Sequence, residues 1–283
     1  MRMPAVSLVA VPGRRRRTLE LAREIEERGF AGIYGPSFVD VMGLCVSLAH
    51  ATERIPFGTT ILPIYLRHPY DLAQAASYIA ELSDGRFRLG LGVSHDDLTK
   101  PLGIATGKPL SDMRDYVLAL RKASNEKAPL PPIILATLRT KMLQLAAEVA
   151  DGAVWANAAR SHMKASLGSV DLPDGFFVGN MIPTVITDDR AAAAAFLRRT
   201  LASYVARPNY FNYWREAGYD DEEITNMSDR WLEDVTLFGT ASEVREGVEA
   251  WFDAGVETPI LVPSSVSGGQ MQAMAELFEA FAP

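Results

Sequence analysis

Short β-branched runs alternate with longer stretches whose apolar residues recur three or four positions apart, and this alternation constrains the chain more than any other feature. The runs fall at 5–11, 32–35, 57–62, 87–93, 133–136, 152–157, 177–186 and 259–262. Between them the spacing predicts helices at 18–28, 40–52, 70–82, 112–124, 141–150, 161–167, 189–205, 242–254 and 270–281. Several of these open on an Asp or Ser able to cap the first turn. Eight βα units in 283 residues fit a closed parallel barrel, whereas an open doubly wound sheet would show fewer strands or a dinucleotide fingerprint. The expected fold class is therefore α/β, a (β/α)8 TIM barrel forming one domain over residues 1–283. Two stretches exceed what a barrel needs: 95–111 after strand four, and 207–237 after the seventh helix. The second carries Tyr210, Phe211, Tyr213, Trp214, Tyr219 and Trp231. Such an aromatic insertion suits either a lid over a ring-shaped ligand or, more plainly, packing or a subunit contact.

Charge and cysteine content narrow the partners. A formal net charge of −7 argues against nucleic acid or an anionic membrane, both of which reward positive surfaces. No apolar run approaches the roughly 20 residues that span a bilayer, so a cytoplasmic location is expected. The single cysteine, Cys45, permits no internal disulfide and no multi-cysteine metal site.

In a barrel of this kind the residues just past each strand converge on one face. Here they are Pro12, Gly13, Pro36, Ser37, the stretch 63–68, Ser94, His95, the stretch 137–140, Asn157 and the stretch 263–267. No Asp or Glu stands directly at the end of any of the first six strands, so carboxylate-driven chemistry is poorly supplied. His50, His68, His95 and His162 include no pair at i, i+3 or i+4, and no metal site is expected. Gly90-Leu-Gly92-Val-Ser-His95 lacks the third glycine of a dinucleotide fingerprint and ends a strand without opening a helix at once. What remains is mostly neutral hydrogen-bonding groups and backbone, an inventory suited to a large cofactor that does its own chemistry. Thr137, Leu138, Arg139 and Thr140 open a helix and read either as a phosphate grip or as a capping turn. The rival phosphate site is the serine- and glycine-rich stretch 264–269, which reads equally as a solvent loop. Arg14 to Arg17 stand where a helix dipole should repel them, as a seat for an anionic ligand group or as a solvated cluster.

Three strings together resemble the luciferase-like superfamily of flavin and deazaflavin oxidoreductases. Ser83-Asp-Gly-Arg-Phe-Arg-Leu-Gly-Leu-Gly-Val-Ser-His95 is similar to its helix-to-strand-four signature. Phe57-Gly-Thr-Thr-Ile-Leu-Pro63, continued by Arg67-His-Pro69, resembles its third strand. The block from Ala136-Thr-Leu-Arg-Thr-Lys-Met to Ala150-Asp-Gly152 resembles its fifth strand and helix, and Gly239-Thr-Ala-Ser-Glu-Val and Ala254-Gly-Val-Glu-Thr-Pro also fit.

The resemblance implies a tricyclic coenzyme over the barrel's C-terminal face. Thr60 and Ile61 match the position where deazaflavin-dependent members place a non-proline cis peptide behind the ring. Val93 and Ser94 would line the ring edge, Thr137, Leu138, Arg139 and Thr140 the phosphate, and Asn157 the ring or its ribityl chain. His95 would be the catalytic proton donor or acceptor, since its free pKa lies near neutrality. Coenzyme F420-dependent hydride transfer to or from a small organic substrate is the first expectation. The alternative cofactor is FMN, in a two-component monooxygenase served by a separate reductase. A reading of another class is a flavin-binding barrel without catalysis. The family implies a homodimer. After strand two many relatives carry an acid followed by His, where this chain has Gly35-Pro-Ser37.

Overall fold

The computed structural model describes residues 1–37, 40–94 and 96–282. Its strands are β1 (Ala5–Ser7), β2 (Ile33–Gly35), β3 (Phe57–Thr59), β4 (Leu62–Pro63), β5 (Phe87–Gly92), β6 (Ile133–Ala136), β7 (Gly152–Ala156), β8 (Phe177–Ile186), β9 (Leu237–Gly239) and β10 (Thr258–Ser264). Hydrogen bonding orders them β10-β1-β2-β3-β5-β6-β7-β8, with β4 continuing β3 against β5. Direct parallel pairing of β8 with β10 closes the cycle into the eight-stranded (β/α)8 barrel. β9, which the sequence reading had not assigned, is a short addition beside Thr184–Ile186 of β8.

Contacts divide the chain into two compact units. One comprises Met1–Ser7, Trp155–Ser169 and Val178–Pro283. Its core contains the fully buried Trp155, Trp214, Trp231 and Trp251. The other comprises Leu8–Val154 and Val170–Phe177 and buries Tyr34, Leu48, Phe57 and Phe87.

Helix starts follow capping chemistry. Asp40 accepts from Gly43 N–H at 3.1 Å ahead of Val41–Ala51, and Asp189 accepts from Ala192 N–H at 2.9 Å ahead of Arg190–Val205. The helix expected at 112–124 begins earlier, at Pro109, whose missing N–H costs nothing in a first turn, so Asp112 is not its cap. Thr240 rather than Ser242 caps Ala241–Asp253, through a reciprocal box with Glu243. The first helix spans Arg15–Glu27, three residues longer at its start than the expected Thr18, because arginine is a good helix former and the dipole penalty is only a few tenths of a kcal/mol.

The two extra stretches resolve differently. Past position 95, a helical turn Asp96–Thr99 and a 3-10 turn Lys100–Leu102 lead through a loop to Pro109. The aromatic insertion folds into helices Pro208–Glu216, Asp221–Thr225 and Asp229–Val235. Tyr210, Tyr213, Trp214, Tyr219 and Trp231 are buried, with Trp214 edge-on to Trp231 at 4.7 Å and tilted against Tyr210 at 5.6 Å. These rings pack within their own unit; they are core, and the lid reading is set aside.

Candidate functional site

In the unit containing β2 to β6, the stretch read as one strand at 57–62 breaks at a bulge. Gly58 pairs Arg88 and Leu62 pairs Leu91, so β3 and β4 advance four residues while β5 advances three. The Thr60–Ile61 peptide bond is cis. Thr59 bridges the interrupted ladder: its hydroxyl donates to Gly90 C=O at 2.8 Å and accepts from Gly90 N–H at 2.9 Å. Thr60 N–H donates to Gly35 C=O at 2.8 Å.

This bulge explains the two glycines of β5. A Cβ on Gly90 would lie 1.9 Å from Thr59 O, and one on Gly92 would lie 2.5 Å from the Ile61 side chain. The Gly-Leu-Gly string therefore makes room for a neighbouring strand rather than for a pyrophosphate. Thr60 is buried, and its hydroxyl has no partner among the described residues. Beyond β5, Val93 and Ser94 are half-buried, and Ser94 adopts a left-handed φ of 66°. His95, the expected catalytic residue, lies outside the described residues.

At the end of β6, Thr137 is buried and donates its N–H to Val154 C=O at 3.0 Å. Leu138 is half-buried, while Arg139 and Thr140 are exposed. Arg139 occupies the N-cap of Thr140–Val149 without a side-chain cap bond, and its C=O accepts from Met142 N–H at 3.0 Å. In the same unit, Tyr65 donates its hydroxyl to Asp112 at 2.6 Å, and Gly107 N–H donates to the same carboxylate at 2.9 Å. Burial and then the Asp112 contact push the Tyr65 phenol up to about 12, so it stays a donor. The sequence reading missed this pair; Tyr65 lay in a strand-end stretch, but the reach of Asp112 across 47 positions left no local signal. His68 caps Pro69–Leu82, its Nδ1 accepting from Tyr70 N–H at 3.2 Å.

In the other unit, Asn157 follows β7 in a left-handed conformation, φ 55°, and is buried. Its N–H donates to Met181 C=O and its C=O accepts from Trp214 Nε1, both at 3.1 Å. Its side-chain Nδ2 has no partner among the described residues. The rival phosphate loop is already engaged: Glu276 accepts from Ser265 at 2.8 Å and from Ser267 at 3.4 Å, and a carboxylate there repels a phosphate. Cys45 is buried, and burial and then Asp40 push its thiol up, away from reactivity. No group of three or more His, Cys, Asp or Glu side chains able to hold a metal occurs among the described residues.

The sequence profile of the luciferase-like monooxygenases matches residues 5–258. The chain belongs to the luciferase-like monooxygenase family. It is thus an oxidoreductase of luciferase-like type. A Mycobacterium tuberculosis protein provisionally named a coenzyme F420-dependent oxidoreductase is 27% identical over 294 residues, covering 80% of this chain and 84% of its own. The fold matches the coenzyme F420-dependent tetrahydromethanopterin reductase of Methanopyrus kandleri, with TM-score 0.76 and 16% identity over 97% of both chains. It also matches the FMN-bound oxygenating constituent of 3,6-diketocamphane monooxygenase from Pseudomonas putida, with TM-score 0.68 and 16% identity over 98% and 96% of the two chains. In this luciferase-like protein β2 is followed by Pro36 and Ser37, and among the described residues there is no helix long and apolar enough to cross a membrane.

Proposed function

We propose that this luciferase-like protein binds coenzyme F420 and catalyses hydride transfer to or from a small organic substrate. The observation that carries the reading is the Thr60 hydroxyl, buried and unpartnered, on a bulge that two glycines of β5 accommodate. Desolvating a hydroxyl without a partner costs about 1–3 kcal/mol, a cost that a ligand acceptor at that point removes. The relative at 27% identity supports F420 over FMN. When bound, the coenzyme supplies the hydride chemistry.

The chain's own residues bind and orient. Thr60 and Ile61 back the ring, Val93 and Ser94 meet its edge, and Thr137, Leu138, Arg139 and Thr140 hold the phosphate. Asn157 supplies a carboxamide donor, and His95 holds or delivers the proton that balances the hydride. The Tyr65–Asp112 pair fixes the loop at Gly107 and so shapes what substrate enters.

Titrating the purified protein with oxidised F420 and with FMN, following fluorescence quenching, tests the reading. Tight binding of F420 alone is expected. Preference for FMN overturns the cofactor assignment in favour of the two-component monooxygenase, and binding of neither leaves a barrel without its redox group. His95→Ala is expected to lower turnover about a hundredfold or more while leaving F420 affinity near wild type.

A further inference from the structure

The aromatic insertion also reaches the turn that carries Asn157. Trp214 Nε1 donates to Asn157 C=O at 3.1 Å. Two residues on, Ala159 N–H donates to the Tyr213 hydroxyl oxygen at 3.1 Å. Two residues further, Ser161 donates its N–H to Asp234 Oδ1 at 3.0 Å and its hydroxyl to Asp234 Oδ2 at 2.7 Å. Asp234 is itself buried and fixed by the Tyr219 hydroxyl at 2.8 Å. Alternate positions of the turn are thus tied to three different points of the insertion, and every tie lies inside one compact unit.

Tying the turn this way fixes more than its path. With the Asn157 N–H committed to Met181 and its C=O to Trp214, the left-handed backbone at φ 55° has little freedom left. The Cα–Cβ direction is set by that backbone, and the carboxamide Nδ2 is the donor left over. A left-handed backbone is strained for a non-glycine residue, so it persists where its surroundings over-determine it.

We propose that Trp214, Tyr213 and Asp234 are positioning residues that aim the Asn157 carboxamide at the bound coenzyme; this rests on the proposed role of Asn157. None of the three touches the coenzyme. They act by removing alternatives to one orientation, which lowers the entropy lost on binding.

Trp231 provides the control. It is fully buried and edge-on to Trp214, yet its Nε1 has no partner among the described residues, so Trp231→Phe removes core volume without removing a tie to the turn. Oxidised F420 is titrated by fluorescence quenching into the full chain and its variants, alongside thermal melting of each. Trp214→Phe is expected to weaken F420 about tenfold, Tyr213→Phe about threefold, and Trp231→Phe less than about twofold despite a comparable loss of melting temperature. Tyr213→Phe deletes only an oxygen and guards against a variant that fails to fold. In an Asn157→Ala background the Trp214 and Tyr213 effects should vanish. Equal weakening by Trp214→Phe and Trp231→Phe, or effects that persist without the Asn157 side chain, overturn the inference while leaving the role of Asn157 standing. If Asn157→Ala binds F420 as wild type does, that role fails, and the positioning claim with it.

Discussion

Gly90 and Gly92 look alike in the sequence and do different things. The backbone oxygen of Thr59 stands 1.9 Å from where a Gly90 Cβ would be, and backbone cannot step aside, so Gly90→Ala must part β5 from the bulge. Gly92 faces side-chain atoms instead, Ile61 Cδ1 at 2.5 Å and Cγ1 at 2.6 Å with Ala136 Cβ at 3.2 Å, which yield more readily than backbone. Gly90→Ala is therefore expected to lose about 3 kcal/mol or more in urea unfolding, and Gly92→Ala less than half of that while weakening F420 more. Equal stability losses with unchanged affinity would contradict this. Glu26 shows a second kind of hidden role. Burial opposes its charge, yet N–H groups of Glu53, Arg54 and Ile55 converge on it at 3.0, 2.6 and 2.8 Å, and its pKa falls below the ordinary 4.5. A lowered folded pKa means stability present above the unfolded value and lost as pH falls through the folded one. Melting temperatures of wild type and Glu26→Gln should therefore differ at neutral pH and converge in acid, once the pH has fallen below 4.5 and through the lowered folded value. A motif can show that glycines matter at 90 and 92, but not which neighbour each admits, because that neighbour is some thirty residues away.

Local chemistry made most elements readable and misplaced their edges where a tertiary partner decides. Apolar spacing marked the helices, and Asp40 and Asp189 marked two starts, because a cap is contained within four residues. The break of 57–62 into β3 and β4 could not be read from β-propensity, since the bulge exists only against β5. Arg86, part of the Gly-Arg string that carried the resemblance, is an element-level device. Its guanidinium donates to Ser83, Ile55, Ala49 and Thr52 carbonyls at 3.0 to 3.2 Å and to the Thr52 hydroxyl at 2.9 Å, closing the C-terminus of Val41–Ala51. Removing it orphans several carbonyls at once. Arg86→Ala is expected to cost about 3 kcal/mol in urea unfolding, and Arg86→Lys to recover less than half, because an ammonium cannot reproduce the planar fork. Full recovery by lysine would show that charge alone matters there.

On the scale of the whole molecule the net charge of −7 works against any anionic ligand, and F420, with its phosphate and acidic tail, is one. Local charge must offset that field near the ligand. Arg14, Arg15, Arg16 and Arg17 are exposed past the end of β1, with no acid in the helix's first turn, and Arg17 pairs with Glu20. Arg14, Arg15 and Arg16, which form no ion pair among the described residues, remain to act on an incoming anion at distances near a Debye length, where salt decides the strength of the effect. Replacing all four by Gln should then weaken F420 roughly tenfold at 10 mM salt and hardly at all at 1 M, where the screening length falls to about 3 Å. The deazaflavin stripped of phosphate and tail should bind both proteins equally at either salt, since the ring itself carries no comparable charge. An unchanged F420 affinity at low salt would reduce the run to a solvated helix start. A loss that survives 1 M salt would mean instead that the arginines contact the coenzyme directly.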